Sequence, residues 1–134
     1  MTGRHQRGLL DTCVVIDLPR IDPQLLPVEA AVASIVLAEL AQGVAMAKDP
    51  VQVLARAQRL ADVEAEFTAL PFDREAARRF GTLTALTIQA KRDPRPRRMA
   101  LMIAATAAAH GLPLYTRNAA DFIGLEAGVQ VVPL

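Results

Sequence analysis

Tryptophan is absent and aromatic residues make up only 4% of the chain, which leaves no platform on which nucleobases could stack. One cysteine, Cys13, excludes a disulfide within the chain and points to a reducing, cytoplasmic compartment, with Cys13 read as a small core residue. Serine is nearly missing too: Ser34 is the only one and stands in no recognisable relation to a histidine, which removes a serine nucleophile with its base. His5 and His110 lie far apart, so with a lone cysteine no zinc set can be assembled. A glycine-rich phosphate loop is lacking as well. Charge is balanced, 15 basic against 14 acidic residues, so a polyanionic partner must be held by a local cluster and not by the whole surface. The basic start has no apolar core of a secretory signal, because Asp11 follows only Leu9 and Leu10. The longest uncharged run, Met99 to Thr116, is broken by His110, Gly111 and Pro113, which reads as a buried helix plus a strand and not as a membrane span.

What is present suffices for one domain over residues 1–134, since 52% of the chain is hydrophobic. Gly8 to Leu10 reads as a strand ending at Asp11, followed by a short helix from Thr12 to Ile16. Pro19, Pro23 and Pro27 mark irregular chain; Val32 to Ser34 is the second strand candidate, and Ile35 to Val44 has helical spacing that puts Glu39 and Gly43 on one face. Asp49-Pro50 starts a helix that runs to about Phe67, and Asp73 starts another that runs to Arg92. Between them Leu70 to Phe72 is a brief strand candidate. The apolar helix behind Arg97 ends at His110 with Gly111 beyond it, Leu112 to Thr116 is a strand, and Val129 to Val132 is the last. Short apolar strands alternating with helices predict a parallel sheet covered on both faces.

In such a sheet, sites gather at the carboxyl ends of the strands. Asp11 ends the first strand, Asn118 and Asp121 follow the Leu112 to Thr116 strand, and Glu39 projects from the helix after the second. Taken singly, each has a plain reading: Asp11 a helix cap, Glu39 a solvated helix residue, Asn118 a turn residue, Asp121 a loop acid. Together they form a carboxylate cluster that needs a hard divalent cation, magnesium or manganese, and such a cation suits attack on a phosphodiester. Lys91, Arg92, Arg95, Arg97 and Arg98 surround the single acid Asp93, stiffened by Pro94 and Pro96. That group grips a phosphate backbone or is simply a solvated loop. A phosphoacceptor receiver domain also uses acids at strand ends, but it needs adjacent acids after the first strand and a lysine after the last, and no lysine follows Lys91.

The segments LLDT, ASIVLAELAQG and MIAATAAAHGLPLYTRNAADF, in this order over nearly the whole chain, resemble PIN-domain ribonucleases and, more narrowly, the VapC toxins of type II toxin–antitoxin systems. The resemblance implies a three-layer α/β/α sandwich with a central, mainly parallel sheet, and a magnesium-dependent endoribonuclease acting on RNA of the transfer or ribosomal class. It places the family's acids at Asp11, Glu39 and Asp121, with Thr116 and Asn118 completing the site. It also implies a homodimer and a cognate VapB-like antitoxin. For contacts to RNA phosphates the basic candidates are Arg95, Arg97, Arg98 and Arg117. One position departs from the pattern: the family's apolar helix begins Asp-x-x-Ile-Ala-Ala, and counting back three residues from Ile103 the aspartate's position here is Ala100. An alanine there either records a replacement that silences a toxic enzyme or marks a decayed domain that keeps RNA or antitoxin binding; in both cases weak magnesium binding and little cleavage are expected.

Overall fold

The computed structural model describes residues 4–134. Five strands lie in one sheet: β1 (Arg7–Leu10), β2 (Glu29–Ala33), β3 (Thr68–Leu70), β4 (Leu114–Thr116) and β5 (Val131–Pro133). Their order across the sheet is β3-β2-β1-β4-β5, and every pairing is parallel. Parallel neighbours need crossovers, and helices supply them. These are α1 (Thr12–Ile16), α2 (Ser34–Ala45), α3 (Pro50–Glu66), α4 (Arg74–Gln89) and α5 (Arg98–Ala109). Helix α2 packs on α3 and α4 on α5, which gives the expected α/β/α sandwich. No helix among the described residues is long and apolar enough to cross a membrane.

The core explains the pattern of the central strands. Leu9, Leu10, Val32, Ala33 and Leu114 are fully buried because both sheet faces are covered. Alanines 104, 105 and 107 on α5 are equally buried, and their small side chains let that apolar helix lie close against its neighbours. Helices begin where the sequence offers a carboxylate: Asp49 accepts from the amide of Gln52 at 2.9 Å and Asp73 from that of Ala76 at 3.0 Å. Gly111, with φ +65°, turns the chain out of α5 in the left-handed conformation that favours glycine.

Several boundaries differ from the sequence reading; β4 starts at Leu114 and not Leu112, and α4 ends at Gln89 and not Arg92. The third strand is Thr68–Leu70, paired with Ala31 to Ala33, and not Leu70 to Phe72, because Pro71 has no N–H to give the ladder. Strand β2 starts at Glu29, and Ser34 opens α2 instead of ending the strand. The last strand covers Val131–Pro133; a proline is tolerated there since β5 is an edge.

Candidate functional site

The central strand β1 points its carboxyl end between those of β2 and β4. One residue beyond the strand, the amide of Asp11 still donates to the carbonyl of Tyr115 at 2.9 Å, which fixes Asp11 beside Thr116. The Thr116 hydroxyl donates to Oδ2 of Asp11 at 2.8 Å, and it accepts in turn from the amide of Asn118 at 3.0 Å. Both side chains are buried, Asp11 at 7% exposure and Thr116 at 0%. The other carboxylate oxygen of Asp11 accepts from the amide of Thr12 at 2.9 Å, so this residue caps α1 and faces the site with separate atoms. Thr12 then donates its hydroxyl to Oε1 of Glu39 on α2 at 2.6 Å. The two acids are thus joined through a single threonine.

Electrostatics follow from this burial. Loss of water pushes the Asp11 carboxyl above its ordinary value, the charge of Asp121 pushes the same way, and donation from Thr116, Thr12 and Cys13 pulls back. The Cys13 sulfur lies 3.6 Å from both Asp11 Oδ2 and Thr116 Oγ1, and the amide of Arg117 donates to it at 3.4 Å. It is half-buried and packed against the core, as the sequence reading had it, with its sulfur turned to the edge of the site. Burial, reinforced by the Asp11 charge, raises its pKa, which favours the thiol form that can donate to Asp11.

The remaining candidates are distributed unevenly. Asp121 sits half-buried on the one-turn helix Ala119–Phe122 and acts on Asp11 through space. Asn118 contributes its backbone amide, and its side chain makes no capping bond. Ala100 lies in the first turn of α5, half-buried against the core. Among the described residues, no three His, Cys, Asp or Glu side chains are grouped closely enough to hold a metal ion. Oxygen donors of the right kind are present, but with alanine at position 100 they do not complete a cation site.

The basic group is partly spent on the protein itself. Arg95 pairs with Asp93 at 3.1 Å, and Arg97 donates to the Asp93 carbonyl while its Nε is buried without a partner among the described residues. Arg92 donates to the carbonyl of Ala120 at 2.6 Å, tying the basic loop to the Asp121 turn. Arg117 lies 3.6 Å from Asp17. Arg98 is exposed and has no ion pair among the described residues. The sequence reading missed the bridge made by the Thr12 hydroxyl and the direction of the Cys13 sulfur; a polar side chain one residue past Asp11 was the available signal for the first.

No protein-family model and no curated protein matches the chain. Solved structures do. It is 33% identical to a member of the VapBC family of toxin–antitoxin systems, VapBC-5 from Mycobacterium tuberculosis, with 96% of this chain and 99% of that one covered and a TM-score of 0.83. It is 27% identical to FitAcB from Neisseria gonorrhoeae over 92% of this chain and 94% of that one, with a TM-score of 0.71. VapBC2 from Rickettsia felis, bound to a DNA fragment from their promoter, shares the fold at 19% identity, 96% and 98% coverage and a TM-score of 0.76.

Proposed function

This chain belongs to the VapC family of PIN-domain toxins, and on that premise we propose that its acidic pocket is the site of a metal-dependent endoribonuclease that cuts RNA of the transfer or ribosomal class, silenced here by Ala100. The observation that carries this reading is the contact of buried Asp11 with Thr116 across the carboxyl ends of adjacent parallel strands, with Glu39 joined through Thr12. A chain with a purely structural Asp11 would need the cap to Thr12 but not a second, buried oxygen facing two hydroxyl or thiol donors.

With an aspartate restored at position 100, Asp11, Glu39 and Asp121 are the residues that would join it in holding Mg²⁺ or Mn²⁺, whose chemistry when bound is to polarise a phosphodiester and acidify a water. Thr116 and Cys13 fix the direction of Asp11, and Thr12 fixes Glu39. Asn118 holds the Thr116 hydroxyl in place by its amide. Arg95, Arg97, Arg98 and Arg117 are the basic side chains offered to the RNA backbone, Arg98 alone free of a protein partner among the described residues and Arg97 held by one bond to the Asp93 carbonyl. Because the neighbours are complexes of VapBC type, the expected inhibitor is a VapB-like antitoxin. Exposed Met46, Val51 and Leu54 offer apolar surface for protein contacts, the antitoxin or a second copy in a homodimer.

The test is Ala100→Asp. The variant is expected to bind Mn²⁺ about tenfold more tightly in calorimetry, ~1.4 kcal/mol of added ligation, and to cut RNA in a reaction that EDTA stops. If it gains neither property, the nuclease reading of this pocket is wrong. Retained RNA or antitoxin binding in that inert variant would instead identify a binding module, the reading favoured by the incomplete cation site.

A further inference from the structure

Beside the acidic pair lies a cavity of about 450 Å³ between α1, α2 and α3. Thr12 and Glu39 form one wall, so the cavity is continuous with the site described above. Arg56 and Arg59 of α3 form the opposite wall, with Gly43 of α2 between them. Neither arginine belongs to the basic loop. Arg56 donates to the carbonyl of Gly43 at 2.6 Å, which braces α3 against the end of α2. Arg59 is half-buried and makes no hydrogen bond or ion pair among the described residues. Its nearest acid along the helix, Asp62, is engaged by Gln58 at 2.9 Å.

A guanidinium carries five donors, and those of Arg59 are unpaired among the described residues and face the water of the cavity, where an anion can take that water's place. With Arg56 beside it, this wall is positively charged and suits an anion. Arg59 also borders a second cavity, of about 530 Å³, but Asp62 and Glu66 line that side and repel one. On the first side the only acid is Glu39, whose Oε1 is held by Thr12, against two arginines. The remaining walls, Ile16 and Leu40, are aliphatic and present nothing that reads a base edge.

We propose that this cavity binds a backbone phosphate of the RNA strand, with Arg59 as the anion-binding side chain and Arg56 as its support. This rests on the nuclease reading: a strand whose scissile phosphodiester lies against Asp11 and Glu39 carries its neighbouring phosphate past the Thr12 and Glu39 wall. The planar fork of arginine suits the two free oxygens of such a phosphate. The contact is indifferent to sequence and positions the strand.

Binding of a fluorescein-labelled single-stranded RNA, followed by anisotropy in EDTA over a range of salt, tests this without any need for cleavage. Arg59→Gln is expected to weaken binding about tenfold and to reduce the slope of log K against log salt by about 0.7, one phosphate contact on a single strand. Arg59→Lys should recover part of the affinity, because it restores the charge without the fork. Arg78→Gln, on the exposed face of α4, should change neither quantity. Melting curves identify any variant that fails to fold, and Arg59→Lys then carries the comparison. An unchanged affinity and slope in Arg59→Gln overturns the proposal while leaving the nuclease reading intact. So does a loss confined to antitoxin binding, which would assign the cavity to a carboxylate of the partner. Failure of the unaltered chain to bind RNA at all would overturn both.

Discussion

Asp11 resolves an ambiguity that residue type alone leaves open. A carboxylate before a short helix reads equally as a cap and as a site residue, and here one oxygen serves each purpose. Its raised pKa has a consequence for stability. Folding favours the neutral form, so the contribution of Asp11 is fully present below the ordinary value of 3.8 and is lost as pH rises through the higher folded value. At neutral pH the fold carries a buried charge that it would be more stable without. Asp11→Asn is therefore expected to melt a few degrees above the unaltered chain at pH 7, with the gap closing as the pH approaches 4. A melting temperature lowered at pH 7 would mean that the three donors outweigh burial. Cys13 was not legible in the same way, because nothing in its type distinguishes a thiol in the core from one turned toward a carboxylate.

At the scale of elements, helices were readable and strand limits were not. Asp49-Pro50 and Asp73 announce α3 and α4 through the chemistry of the cap, which is local. Strand ends are set by the partner across the ladder. Pro71 moves β3 toward the N-terminus, and the pairing of Thr116 with residue 133 carries β5 onto a proline. The closeness of strands is equally invisible in sequence: a Cβ at Gly8 would lie 2.5 Å from the ring of Tyr115 and 3.0 Å from Pro27. That ring is buried, with the His5 ring perpendicular to it at a centroid distance of 6.1 Å, and cannot turn away freely. Gly8→Ala should therefore cost about 1–3 kcal/mol in urea unfolding, the usual penalty for overpacking a core. A variant as stable as the original would show that β1 and β4 have slack between them.

For the whole molecule, the rule that acids collect at the carboxyl edge of a parallel sheet points to Asp11, Glu39 and Asp121; the structure links Asp11 to Glu39 through Thr12 and leaves Asp121 acting on Asp11 through space. The reach of the basic residues escaped that reading, since their partners come from elsewhere in the fold: Asp17 for Arg117, the Ala120 carbonyl for Arg92. Among the basic loop residues, the clearest long-range charge effect is consequently expected from Arg98, which is exposed and has no ion pair among the described residues. Arg98→Glu should weaken RNA binding, most strongly at low salt, with an unchanged melting temperature, whereas Arg97→Glu should lower the melting temperature because it removes the bond to the Asp93 carbonyl and leaves a carboxylate where the partly covered Nε lay. Equal effects of the two changes on melting would contradict this division. The bond between Thr116 and Asp11 spans 105 positions of the chain, and β4 must enter beside β1 before that bond exists. Ribosomes add roughly 5–20 residues per second, so Asp11 waits on the order of 10 s for its partner to be synthesised. A nascent chain that stops short of Thr116 therefore cannot assemble this pocket, and the cell meets a finished site only after β4 has been made.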